Sequence, residues 1–218
     1  MNSGNVTPVS VGLFDELVCR GAGTVHVVSG AEPSVGLLGR SDQLDLVRIR
    51  NRNMRLVVSF RVGANPWRVP DGDDVIGVQV VADSLSRIHV QGFSTVILGT
   101  QNHPLVLDEA TLIHGGSGIL SGTVSATRVK IRNRSNGQVR IAGDARWLDV
   151  ANRGMGVLDC SELVAQRASA ISSGLGRIEL LVLDELSARM DGMGAIGYRG
   201  EPIVHRRGGG LGRLEKLD

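Results

Sequence analysis

Apolar and polar residues alternate through the C-terminal part of this chain, and glycine punctuates the alternation at a nearly constant interval. Gly118, Gly137, Gly156, Gly176, Gly194 and Gly212 follow one another at 19, 19, 20, 18 and 18 residues. Two residues beyond each glycine stand Leu120, Val139, Leu158, Ile178, Ile196 and Leu214; four beyond stand Gly122, Ile141, Cys160, Leu180, Tyr198 and Lys216. Between them lie Ser121, Arg140, Asp159, Glu179, Gly197 and Glu215. Such period-two alternation marks a strand with one buried face. Its recurrence about every 19 residues predicts a chain wound into stacked turns, because no single turn buries its own apolar face.

A second strand per turn precedes the glycine. Val129, Leu148, Ala168, Leu186 and Val204 form one inward column, and Ile131, Val150, Ala170, Ala188 and Arg206 the next. On the outward side the spacing stacks Arg128, Trp147 and Arg167 as a cation–π column and sets Lys130 under Asp149 as a charge pair. His114, Asn133, Asn152 and Ser172 align just before the bend, where stacked side chains would bond to one another and to turn backbone. Glycine suits the bends because the corner asks for positive φ or close backbone approach. A phosphate-cradling role is excluded, since no Gly-x-Gly here leads into a helix or a Gly-Lys-Ser/Thr ending.

The N-terminal half is less regular but of the same class. Phe14 to Val27 reads as strand, Gly21-Ala22-Gly23 bend and strand. Short strands are expected at Ser34 to Leu38, Leu46 to Ile49, Leu56 to Phe60, Ile76 to Val81, Arg87 to Val90 and Thr95 to Leu98. Ser161 to Ala170 is the best helical stretch, yet its place in the columns predicts strand. Residues 1–12 are expected to be loosely attached, 13–218 to form one domain, and 63–74, with two prolines and three aspartates, to be a surface excursion.

Composition supports a narrow aliphatic interior: aromatics are 3% of 218 residues. A net charge of +2, with no basic block, argues against nucleic-acid binding. Cys19 and Cys160 make no disulfide framework. The chain as given shows neither an export signal nor an apolar stretch long enough for membrane insertion, which read alone places it in the cytoplasm.

Chemistry-bearing residues are sparse. The five histidines have no metal-ligand spacing, and Asp71, Asp73 and Asp74 lack the further oxygen ligands and closing glutamate of a calcium loop. No catalytic, metal or cofactor site is expected. The binding candidates are Arg128, Trp147 and Arg167 on the outward column, whose cations suit an acidic glycan, and Trp67, beside Pro66, as a sugar-stacking platform.

Phe14 to Val27, Leu85 to Leu98, the repeated Gly-x-Gly bends and the ending Gly194 to Val204, with Tyr198, Gly200 and Pro202, followed by Gly208 to Leu214, resemble the auto-transporter adhesin head domains of the GIN type. The likeness spans nearly the whole chain. It implies a right-handed parallel β-helix with turns of about 18–20 residues, at the bacterial cell surface or in the periplasm, acting in adhesion without enzymatic residues. The leading expectation is a non-catalytic adhesion module presenting flat side-chain ladders to a surface polysaccharide or another protein. A self-assembling scaffold of the bactofilin-like kind comes second. An acidic-polysaccharide lyase or hydrolase comes third, since turns this short supply no walled groove. Charges at core positions of the last turn, Arg206 and Lys216, predict a capped end, hence a monomer or small homo-oligomer joined through side faces.

Overall fold

A computed structural model of the protein describes residues 7–39, 44–61 and 77–218. The fold is a single all-β domain in which every described strand belongs to one open, curled sheet of mixed direction. The four longest strands are β11 (Ile119–Asn133), β12 (Gln138–Asn152), β13 (Val157–Ser172) and β14 (Arg177–Met190). Each pairs in parallel with the next, and β10 (Leu105–His114) joins β11 in the same sense. The register follows the glycine interval: Leu120 lies opposite Val139, Val139 opposite Leu158, Leu158 opposite Ile178 and Ile178 opposite Ile196. All five are fully buried. The core these strands share is built of several such stacked apolar columns, among them that of Ile141, Cys160 and Leu180 and that of Val129 and Leu148.

The one 20-residue interval is absorbed by a bulge. After Cys160 the register of β13 against β14 shifts, and Ser161 to Leu163 are left over. Asp159 closes the irregularity by accepting hydrogen bonds from the Ser161 amide at 3.1 Å and hydroxyl at 2.7 Å. Ser161 to Ala170 lies wholly in β13, as the columns require and its helical propensity does not.

The bend glycines are needed for close approach. A Cβ at Gly176 would stand 2.1 Å from the Gly156 carbonyl oxygen, and one at Gly156 2.1 Å from that of Gly137. Positive φ is required elsewhere, for example at Gly143 (φ 112), where the chain turns a second corner inside β12.

The N-terminal half departs from a simple succession of turns. Two of its strands, β2 (Glu16–Arg20) and β3 (Thr24–Ser29), pair in parallel with β8 (Arg87–Val90) and β9 (Thr95–Leu98) on one side. On the other side they pair with β6 (Arg55–Phe60) and β7 (Gly77–Ala82). These two strands therefore lie inside the stack, and after β3 the chain loops out and returns on their outer side. Antiparallel strands close this end: β4 (Ser34–Leu38) on β7, β5 (Val47–Arg52) on β6, and β1 (Thr7–Val9) on β4. One parallel coil is thus too simple a description of the whole sheet, because an open parallel end exposes unpaired backbone that antiparallel strands cover.

At the other end β15 (Ala195–Arg199) and β16 (Ile203–Arg207) pair with β14, and β17 (Arg213–Lys216) pairs with β15. No described helix is long and apolar enough to cross a membrane.

Candidate functional site

Parallel register without offset brings identical outward positions of successive strands one above another. Glu109, Arg128, Trp147, Arg167 and Glu185 form such a column. The Arg128 guanidinium carbon lies 5.6 Å from the centre of the Trp147 ring, and that of Arg167 lies 5.1 Å away. The indole is thus flanked by a guanidinium on each neighbouring strand. Half-buried, it acts as a spacer holding two cations. A guanidinium stacked on a ring keeps in-plane N–H groups that match carboxylate, sulfate or phosphate oxygens in pairs.

Charges around the column are arranged differently from the expectation. Asp149 lies 3.6 Å from Arg128, and Lys130 reaches Glu109 at 3.6 Å, so Lys130 and Asp149 do not form the pair that their stacking suggested. Long side chains in a ladder reach diagonally, and each cation here finds a carboxylate on a neighbouring column. Arg167 and Arg146 are exposed and make no ion pair among the described residues. Trp67 and the aspartates 71, 73 and 74 lie outside the described residues.

Beside this column runs a groove of about 450 Å³, missed in the sequence. Its walls include Val106, Val164 and Leu183, which are 61%, 38% and 48% exposed. Ser125, Asp144 and Arg146 supply polar groups, and the Ser125 hydroxyl donates to Asp144 Oδ2 at 3.1 Å. The signal was present as apolar residues where alternation asks for polar ones, but only the corner inside each long strand makes them one surface.

The column of His114, Asn133, Asn152 and Ser172 is an internal structural feature, fully buried throughout. Asn133 Nδ2 donates to Asn152 Oδ1 at 3.3 Å, and Asn152 Nδ2 donates to the Gly156 carbonyl at 2.8 Å and the Arg177 carbonyl at 3.3 Å. Asn152 Oδ1 in turn accepts from the Gly154 amide at 3.2 Å. His114 Nδ1 lies 2.8 Å from the Ser135 hydroxyl, while its Nε2 is buried without a partner among the described residues. Burial, the largest effect, lowers the His114 pKa below the ordinary histidine value. Burial also pushes the Cys19 thiol up to about 12 and Cys160 upward as well, so neither is a thiolate at neutral pH. Among the described residues no three His, Cys, Asp or Glu side chains gather as metal ligands would.

Residues 13–202 match the family described as putative auto-transporter adhesin, head GIN domain, and the chain belongs to that family. A comparison with curated proteins finds no match. The crystal structure of a putative adhesin from Bacteroides fragilis is 17% identical, with a TM-score of 0.83 over 100% of this chain and 98% of that one. That of a putative adhesin from Parabacteroides distasonis is 19% identical, with a TM-score of 0.73 over 99% and 98%. At these identities the likeness speaks for the fold.

Proposed function

We propose that the protein is a non-catalytic adhesion module whose C-terminal part is a right-handed coil of turns of about 18–20 residues, with outward ladders that meet a polymer partner at the cell surface. The observation that carries this reading is the stack of Arg128, Trp147 and Arg167 beside the groove. Its chemistry suits an acidic glycan: the arginines offer paired N–H groups to carboxylates or sulfates, and the groove offers aliphatic walls to sugar rings. The stack is bracketed by Asp108 and Glu109 on β10 and by Asp184 and Glu185 on β14, about one strand spacing beyond each arginine and within a Debye length of it. Such bracketing favours a short acidic segment over a long polyanion. The two core thiols, protonated at neutral pH, supply no nucleophile for bond cleavage.

A screen of neutral and acidic oligosaccharides on the purified chain tests this reading. Binding of short acidic glycans, reduced at least about tenfold in an Arg128→Ala, Arg167→Ala variant with an unchanged melting temperature, is the expected result. Acidic glycans bound equally well by that variant would remove the stack from the function.

A further inference from the structure

Each Gly-x-Gly bend exposes its middle residue, and a glycine on either side leaves that side chain unshielded by its own turn. In four successive bends the residue is large and apolar: Met155, Leu175, Met193 and Leu211 are 59%, 55%, 64% and 87% exposed. The bends rest on one another through backbone hydrogen bonds. The Gly176 amide donates to the Gly154 carbonyl at 3.1 Å, Gly194 to Gly174 at 2.9 Å, and Gly212 to Gly192 at 3.0 Å. The four side chains therefore stand in single file at the strand spacing, a ridge on the order of 15 Å long. In the two preceding turns the same place holds Ser117 and Asn136, so the ridge begins sharply at Met155. A run of exposed apolar side chains of this kind marks a contact surface.

The charges beside the ridge are unequal in their engagement. Asp191 is held by Arg189 at 2.7 Å, Glu179 by Arg177 at 2.6 Å, and Glu215 by Arg213 at 2.9 Å and Arg177 at 3.1 Å. Arg153, directly before the first of the four bends, and Arg207, three residues before the last, are exposed and make no ion pair among the described residues. The carboxylates are thus neutralised within the protein, and free positive charge remains at both ends.

We propose that this ridge docks on an anionic lipid surface, its four tips entering the interface while Arg153 and Arg207 meet the headgroups. Shape favours a bilayer over a protein. A single file of four protruding side chains falls well short of the roughly 800 Å² per partner that a stable protein interface buries, whereas a fluid interface closes around separate apolar tips. Charge favours anionic lipid, because each free arginine near such a surface gains attraction that a neutral headgroup does not supply. The ridge is separated from the Trp147 stack by the strand segment 148–152, so this docking does not depend on the glycan reading.

Co-sedimentation of the whole chain with vesicles tests the proposal, using phosphatidylcholine alone and an equal mixture with phosphatidylglycerol. Binding to the mixed vesicles, weakened by salt, is expected. A Leu175→Ser, Met193→Ser variant should bind at least about tenfold less at an unchanged melting temperature, since both positions are exposed. An Arg153→Gln, Arg207→Gln variant should lose the preference for phosphatidylglycerol while keeping the ridge and the fold. The proposal fails if the native chain sediments with neither vesicle, if the serine variant binds as well as the native chain, or if that substitution instead splits a dimer in analytical ultracentrifugation.

Discussion

Two buried polar side chains show how much one residue can carry in this protein. Asn152 sits at the inner corner with no exposure and bonds to two carbonyls, one amide and Asn133. Leucine fills similar volume but supplies none of these bonds. Asn152→Leu is expected to lower stability by about 2–4 kcal/mol, read by chemical denaturation, because each stranded buried group costs about 1–3 kcal/mol. His114 occupies the same column. Its folded pKa lies below the ordinary value of about 6.5, so the unfolded chain takes up the proton first as pH falls. The stability conferred by a neutral His114 is therefore full above pH ~6.5 and is lost as the solution is acidified toward the lower folded value. His89, lowered chiefly by burial, acts in the same direction. Thermal melts from pH 8 downward should show a fall beginning near pH ~6.5, and His114→Asn, which extends the asparagine column, should shallow it. An identical pH profile in the variant would remove His114 from this role.

At the scale of elements, the hairpin of β5 and β6 turns through Asn53 and Met54, with φ of 51° and 60°. Two residues in the left-handed region make the tight turn that matches strand twist, usually built with glycine at the second place. Met54 is 47% exposed, so its side chain contributes little packing in exchange for the strain. Met54→Gly is expected to raise stability by about 0.5–1 kcal/mol in denaturant melts. The two strands were legible as apolar runs, whereas their antiparallel pairing was not, because Asn-Met carries no hairpin signature. The corner strands read more fully: Arg87–Val90 and Thr95–Leu98 have the limits that alternation assigned them. The column of Arg128, Trp147 and Arg167 was also visible, since equal spacing in parallel strands fixes neighbours. The groove beside it was hidden, because Val106, Val164 and Leu183 converge only through the bend inside each long strand.

For the whole molecule, the two ends of the sheet are finished differently. Antiparallel strands cover the end near β6 and β7, while β16 and β17 remain outermost at the other. At that open edge Arg206 follows Ala170 and Ala188 in register, and Lys216 follows Leu180 and Tyr198. Both are exposed, and Lys216 pairs with Glu201. Charges at would-be core positions resist the addition of another chain, since burial would strip their water without supplying a partner. The protein is therefore expected to stay a monomer or small closed oligomer at high concentration in light scattering, with no filaments in electron micrographs. Arg206→Val with Lys216→Leu should promote end-to-end association. Filaments of the native chain joined at this end would restore the scaffold reading instead.

The sequence by itself determined the strands of the C-terminal part, their faces and their register, because a period-two pattern repeated at a constant interval permits one in-register parallel stacking of apolar columns. Family membership was legible through resemblance, in the segments Phe14 to Val27 and Leu85 to Leu98 and in the ending from Gly194 to Leu214. Only the tertiary structure decided the order of the N-terminal strands, the antiparallel cover and the diagonal ion pairs. Those depend on which exposed edge a returning segment reaches and how far a long side chain extends, and neither leaves a periodic trace in the chain.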